Sequence, residues 1–154
     1  MKRAKQLQPL SREHHLGLHI SRHAKDCEAH PDQINEHWSA LTTYINHDMA
    51  HHFDLEDNIL AAALLPLKAS HPDVAAVLSN LETQHREIDE LTQLAEGARP
   101  SQEQVIELAN ALYDHIRFEE RELLPVAEQY LTQETLDAIY AASPDNVKRI
   151  DEGR

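Results

Sequence analysis

Two segments of this 154-residue chain repeat one spacing of metal-ligating side chains. His52 is followed four residues later by Glu56 and then Asp57, and His115 is followed by Glu119 and then Glu120. On a helix, positions i and i+4 lie on one face about 6 Å apart along the axis, so such a pair can reach one ion. Imidazole and carboxylate are nitrogen and oxygen donors of the kind that suit iron, manganese or zinc. The composition agrees, with 12 histidines and Cys27 as the only cysteine.

Those residues need helices to present them. Between the turn signals at Pro9, Pro31, Pro66, Pro72, Gly97 to Pro100 and Pro144 lie stretches too long for strands and rich in Ala, Leu, Glu and Gln. The spacing predicts a first helix capped by Ser11 and ending before Pro31. A second spans about 32–65, and its length predicts a bend or break near the middle. A third follows Ser70 with Pro72 in its first turn and ends near Gly97. A fourth starts at Ser101, with Gln104 completing a capping box, and runs to Tyr130. Thr132 is expected to cap a short fifth helix to Tyr140, followed by a loosely packed polar tail. The expected fold class is all-α, an antiparallel up-and-down four-helix bundle. One domain covers 1–154, with a bundle core over about 10–130 and a C-terminal extension over 131–154.

A helical wheel at 100° per residue sorts the histidines. On the second helix Ile34, Trp38, Leu41, Ile45, Met49 and Ile59 form the apolar stripe, with His52 and Glu56 inside it and His47 and His51 opposite. On the third, His85 shares the stripe of Val74, Val77, Leu81, Ile88 and Ala95. On the fourth, Glu119 sits among Val105, Leu108, Leu112, Leu123 and Val126, with His115 on the flank and Glu120 nearer the boundary. On the first helix, His14 lies on a face of apolar and small residues, while His15 shares a polar face with His19. A second stripe through Leu16, Ile20, His23 and Cys27 keeps that choice open. Carboxylates buried without partners cost several kcal/mol, and bound cations would remove the cost. The competing expectation is a metal-free polar core of His–Glu hydrogen bonds.

From Ser11 to Pro125 these residues resemble the hemerythrin-like, or HHE cation-binding, family. The resemblance implies a four-helix bundle with two non-haem iron ions bridged by carboxylates. Carried over, the metal ligands are His14 or His15, His52, Glu56, His85, His115 and Glu119, with Glu56 and Glu119 bridging. Oxygen carriers of the family have a second histidine four residues after the third-helix ligand, and here that position is Asp89. Asp89 is therefore either a ligand or the mark of an open coordination position. Glu120 competes with Glu119 at a five-residue spacing. Zinc or manganese are alternative occupants. The function implied is binding of O2, NO or peroxide for sensing, scavenging, stress protection or iron handling. A di-iron redox enzyme (peroxidase, NO reductase or iron-centre repair) and a metal-free helical interaction module are the alternatives, and the residues leave enzyme against sensor open.

Charge and hydropathy narrow the partners. Lys and Arg total 14 against 27 Asp and Glu, a formal charge of −13. Nucleic acid and anionic membranes need a cationic footprint, so neither is the expected partner. A single cysteine excludes an internal disulfide and disfavours a thiolate zinc site. No apolar run approaches a membrane span, and the basic start lacks a signal-peptide core, so a cytoplasmic protein is expected. A small diatomic or peroxide ligand and a redox partner are the expected partners, and the oligomeric state is not encoded in these patterns.

Overall fold

The computed structural model describes residues 3–94 and 99–149, and every regular element among them is helical. Helix α1 (Gln8–Ala24) is followed by α2 (Ile34–Thr43), α3 (Ala50–Leu55) and α4 (Ala61–Leu64), then by α5 (Pro72–Gln93). Helix α6 (Gln102–Phe118), α7 (Leu124–Tyr130) and α8 (Gln133–Ala142) complete the order. Helix α1 packs on α2 and α6, and α6 also packs on α5 and α2.

Three π-helical turns interrupt the long stretches. Tyr44–Asp48 separates α2 from α3, Glu56–Leu60 separates α3 from α4, and Glu119–Leu123 separates α6 from α7. Each closes with an i→i−5 bond, as from the Leu124 N–H to the Glu119 carbonyl. The break expected in the second helix is therefore a pair of π turns. Each turn contains one extra residue, and the apolar stripe slips accordingly. Leu60 rather than Ile59 is fully buried, and Leu124 and Ala127 are buried where Val126 is only half-buried.

Proline and arginine complete the last of these turns. With bonds spanning five residues, the Glu120 carbonyl would accept from residue 125, which is a proline without an N–H. The Arg3 guanidinium donates to that carbonyl instead, at 2.7 Å, and to the Glu120 carboxylate at 3.1 Å.

Helix ends follow local chemistry with two corrections. Ser101 and Gln104 form the expected reciprocal capping box, and Thr132 caps α8 by accepting from the Thr135 N–H. Ser11 is not an N-cap. Helix α1 starts at Gln8 because Pro9 fits the first turn, where its missing N–H has no helical partner anyway. The tail is not loose over its described part: Ser143 is buried, and the Arg12 guanidinium donates to the Val147 carbonyl at 2.6 Å. The expected Gly97 terminus lies outside the described residues.

Two apolar clusters hold the helices together. One contains Leu10, Leu55, Leu60, Leu81 and Leu123, joined by Leu136 and Ile139 of α8. The other contains Leu41, Tyr44, Met49, Ile88, Leu112 and Ile116. Between them lies a layer of buried polar side chains that includes His14, His52, Glu56, His115 and Glu119. Chain approach there is tight: a Cβ on Gly17 would lie 2.5 Å from the Tyr44 hydroxyl and 2.6 Å from Ile116 Cδ1. No described helix is long and apolar enough to cross a membrane.

Candidate metal centre

Four segments deliver one histidine each to the polar layer. His14 comes from α1, His52 from α3, His85 from α5 and His115 from α6. Glu56 and Glu119 open two of the π turns, each one helical turn after a histidine. The donors form two groups that share both glutamates. One is His14, His52, Glu56 and Glu119, and the other is Glu56, His85, His115 and Glu119. Within each group the ligand atoms all lie within 4.8 Å of one another.

Each glutamate divides its oxygens between the groups. Glu119 Oε1 lies 2.8 Å from His14 Nε2 and 3.4 Å from His52 Nε2, while its Oε2 lies 2.7 Å from His115 Nε2 and 3.8 Å from His85 Nε2. Glu56 Oε2 lies 3.3 Å from His52 Nε2, and its Oε1 lies 3.5 Å from His85 Nε2. Two donors about 2.1 Å from one ion are about 3.0 Å apart at a right angle and about 3.4 Å apart at a tetrahedral angle. The observed spacings bracket both values.

The donors satisfy one another only in part: Glu119 Oε1 is within hydrogen-bond reach of His14 Nε2 and His52 Nε2, and other atoms of the layer have no partner. Both Glu56 oxygens, Glu119 Oε2, His85 Nε2 and His115 Nε2 are buried without a hydrogen-bond partner. His115 Nε2 and Glu119 Oε2 approach to 2.7 Å without hydrogen-bond alignment. His14 Nε2 and His52 Nε2 stand 3.1 Å apart, an arrangement that sets two lone pairs against each other if both rings carry their proton on Nδ1. Leaving buried carboxylate oxygens unpaired costs free energy, and a cation in each of the two groups would accept these lone pairs.

The outer ring nitrogens face acceptors that suit the tautomer a cation would need. His14 Nδ1 meets Glu120 Oε1 at 2.8 Å, and His52 Nδ1 meets Glu13 Oε1 at 3.3 Å. His85 Nδ1 meets Asp57 Oδ1 at 3.1 Å, and His115 Nδ1 meets Gln84 Oε1 at 2.7 Å. Each acceptor favours the proton on Nδ1 and leaves the Nε2 lone pair facing the centre. Asp57 and Glu120 are the acidic residues that follow the bridging-type glutamates in both sequence repeats. Glu13 and Gln84 directly precede a histidine of the centre. Sequence reasoning singled out neither Glu13, Gln84 nor Asp57 for this role, although their adjacency to H and E in the motif was the available signal.

Without cations, electrostatics couples the layer. Burial disfavours charge on His14 and His52, yet Glu119 and Glu56 respectively overcome it and raise both pKa values. His85 is likewise opposed by burial but is pushed up to about 11 by Asp57, Glu119 and Glu56. Burial would raise Glu119, but His115 and His14 hold it well below the usual carboxylate range. Glu120 is opposed by burial and lowered to about 2, chiefly by His14 and then Ser11 and Arg3.

Of the residues singled out from sequence, six meet at the centre: His14, His52, Glu56, His85, His115 and Glu119. Three do not. His15 is exposed on α1, whereas His14 is buried within the layer. Asp89 is exposed and accepts from the Gln93 amide at 3.3 Å, because one turn beyond His85 the helix face has left the polar layer. Glu120 lies behind His14, on its Nδ1 side, since the π turn aims it at the neighbouring helix.

A shallow cavity of about 300 Å³ reaches His85 and is lined by Ile45, Ala50, Phe53, Ile88 and Asp89 among others. The Phe53 ring lies 4.7 Å from that of His85 and 5.9 Å from that of His115, between centroids.

The family model of the hemerythrin HHE cation binding domain matches residues 5–127 of the chain. No curated protein and no solved structure matches it.

Proposed function

Because the chain belongs to the hemerythrin HHE cation-binding family, we propose that its polar layer is a carboxylate-bridged di-iron centre that binds O2, NO or peroxide. The observation that carries this reading is the division of each glutamate between two histidine pairs, so that His14 and His52 would hold one ion and His85 and His115 another, with Glu56 and Glu119 available to both. Imidazole with carboxylate suits iron, and four protein donors leave coordination positions free on an ion that prefers six. When bound, the iron pair would supply those open positions and a ferrous–ferric couple.

The chain's own residues do the rest. Glu120, Glu13, Asp57 and Gln84 hold the imidazoles in register. Phe53 and the flanking apolar clusters surround the layer, and the cavity at His85 offers a route by which a small ligand could approach. We read the scaffold as an up-and-down antiparallel bundle. The two apolar clusters support this, because successive helical stretches pass the polar layer in alternating order. Leu10 precedes His14 and Ala24 follows, whereas Met49 precedes His52 and Leu60 follows.

The test is metal analysis after anaerobic iron loading, with optical spectra before and after air. About two irons per chain, with near-ultraviolet charge-transfer bands on oxidation, are expected. An intact helical protein that retains no iron would return the polar core to a purely structural role. Catalytic turnover of peroxide or NO with a reductant would assign the same centre to a redox enzyme.

A further inference from the structure

The molecule is strongly acidic, yet four of its 14 lysines and arginines converge on one tyrosine. The Arg22 guanidinium carbon stands 5.6 Å and Lys25 Nζ 5.3 Å from the centroid of the Tyr113 ring. Arg117 and Arg121, one turn apart, add their charge to the same phenol, which Arg22 and these two hold below its usual pKa. Arg117 and Arg121 line a shallow cleft of about 420 Å³ with Tyr113 and Phe118. Asp114 and Glu122 also line it, but neither comes within 4 Å of either guanidinium.

What sets this face apart, in a chain with a twofold excess of acids, is that four cations gather at one place and none of them forms an ion pair among the described residues. Neighbouring carboxylates are abundant, so neutralising this patch internally would have been simple. Its position gives it a use. Phe118 is almost fully buried beneath the cleft, and its ring stacks on that of His115, with centroids 6.4 Å apart and planes inclined by 27°. His115 reaches the centre through Nε2.

We propose that Arg22, Lys25, Arg117 and Arg121 form the docking surface for an acidic one-electron carrier protein, which exchanges electrons with the metal centre through Phe118 and His115. The electron-transfer half rests on the di-iron reading; the docking half does not. Each encounter moves one electron from the reduced carrier to a ferric ion. No bond is made or broken, and two encounters reduce both ions. A cationic patch on an otherwise repulsive surface accounts for the orientation of the encounter: the rest of the molecule repels an acidic partner, and this face attracts it.

The probe is a reduced acidic [2Fe–2S] ferredoxin, mixed by stopped flow with the oxidised, iron-loaded protein. The variants are Arg117→Glu and Arg121→Glu, singly and together, with metal content and helicity checked. The wild-type second-order rate is expected to fall steeply with salt. Charge reversal is expected to lower it at least about tenfold at low ionic strength and to flatten the salt dependence. Reduction by a neutral hydroquinone is expected to stay unchanged. In parallel, amide shifts on the protein as purified are expected to cluster over 113–122 when ferredoxin is added, and to vanish in the double variant. Rates within about twofold of wild type, or shifts located elsewhere, would overturn the proposal. So would millimolar inorganic phosphate occupying the cleft while ferredoxin ignores the variants. Shifts at the cleft in a protein that retains no iron after anaerobic loading would overturn the di-iron reading and leave the docking surface standing.

Discussion

Each histidine of the centre is gripped from behind by a side chain of another helical segment, and this cross-bracing makes specific demands. Replacing Glu120 with Ala frees His14 Nδ1, and replacing Asp57 with Ala frees His85 Nδ1. Each change is expected to weaken metal binding about 10–100-fold without removing a ligand, as read by competition with a chelator of known affinity. Glutamine at 120 can still accept from Nδ1 and should restore part of the loss. Glu119→Ala removes a donor from both groups and is expected to cut bound metal to one ion per chain or fewer, whereas Asp89→Ala and His15→Ala should leave metal content unchanged. Retention of full metal by Glu119→Ala would refute the shared-glutamate arrangement. The i, i+4 pairs were legible in the sequence because both members sit on one helix face. The second-row acceptors were not, because each acts on a histidine of a different segment, and a wheel describes one helix at a time.

At the scale of elements, the sequence marked helix ends where local chemistry decides them, as at the Ser101 capping box. It missed what depends on backbone register. A wheel at constant pitch cannot anticipate an extra residue in a π turn, so it placed Ile59 and Val126 where the structure buries Leu60, Leu124 and Ala127. The turns let two adjacent acids both serve the centre: Glu56 and Glu119 reach it directly, while Asp57 and Glu120 reach neighbouring histidines. Helix α1 must lie close for this to work, and Gly17 permits it. A methyl group there would meet the Tyr44 ring and Ile116. Both neighbours are buried, and the Tyr44 hydroxyl is committed to the Glu13 carbonyl at 2.9 Å, so neither can withdraw freely. Gly17→Ala is therefore expected to destabilise the protein by about 1–3 kcal/mol, outweighing any gain in helix propensity. Thermal melts should show a drop of roughly 2–4 °C per kcal/mol, with metal affinity falling alongside because His14 shifts with α1. A melt unchanged or raised would show that the α1 contact is looser than the geometry requires. The contrasting change, Ser101→Ala, should cost about 1 kcal/mol and spare metal affinity, since that cap lies at the start of α6 and touches no donor.

For the whole molecule, the polar layer links stability to pH in opposite ways with and without cations. In the metal-free protein, His14, His52 and His85 hold their protons more tightly when folded than when unfolded. A histidine of this kind contributes stability that is complete below its ordinary pKa and is lost as pH rises towards the folded value. For His85 that window runs from 6.5 to about 11. Glu120 contributes in the reverse sense: its share is complete above 4.5 and is lost as pH falls towards about 2. The metal-free protein is therefore expected to be most stable between these windows, in mildly acidic solution, and to weaken steadily on the alkaline side. Cations reverse the alkaline trend. They require the Nε2 lone pairs, so loading expels the protons that stabilised the metal-free form, and affinity rises with pH. The gap in melting temperature between loaded and metal-free protein should consequently widen from about pH 6 to about pH 9. The general repulsion of a −13 surface acts on both forms, so taking the difference removes most of it. Calorimetric melts of both forms across that range test the linkage. A metal-free melting temperature that stays level or climbs over the interval would mean that the histidines are not protonated at the centre, and that their carboxylate neighbours are stabilised by something other than imidazolium charge.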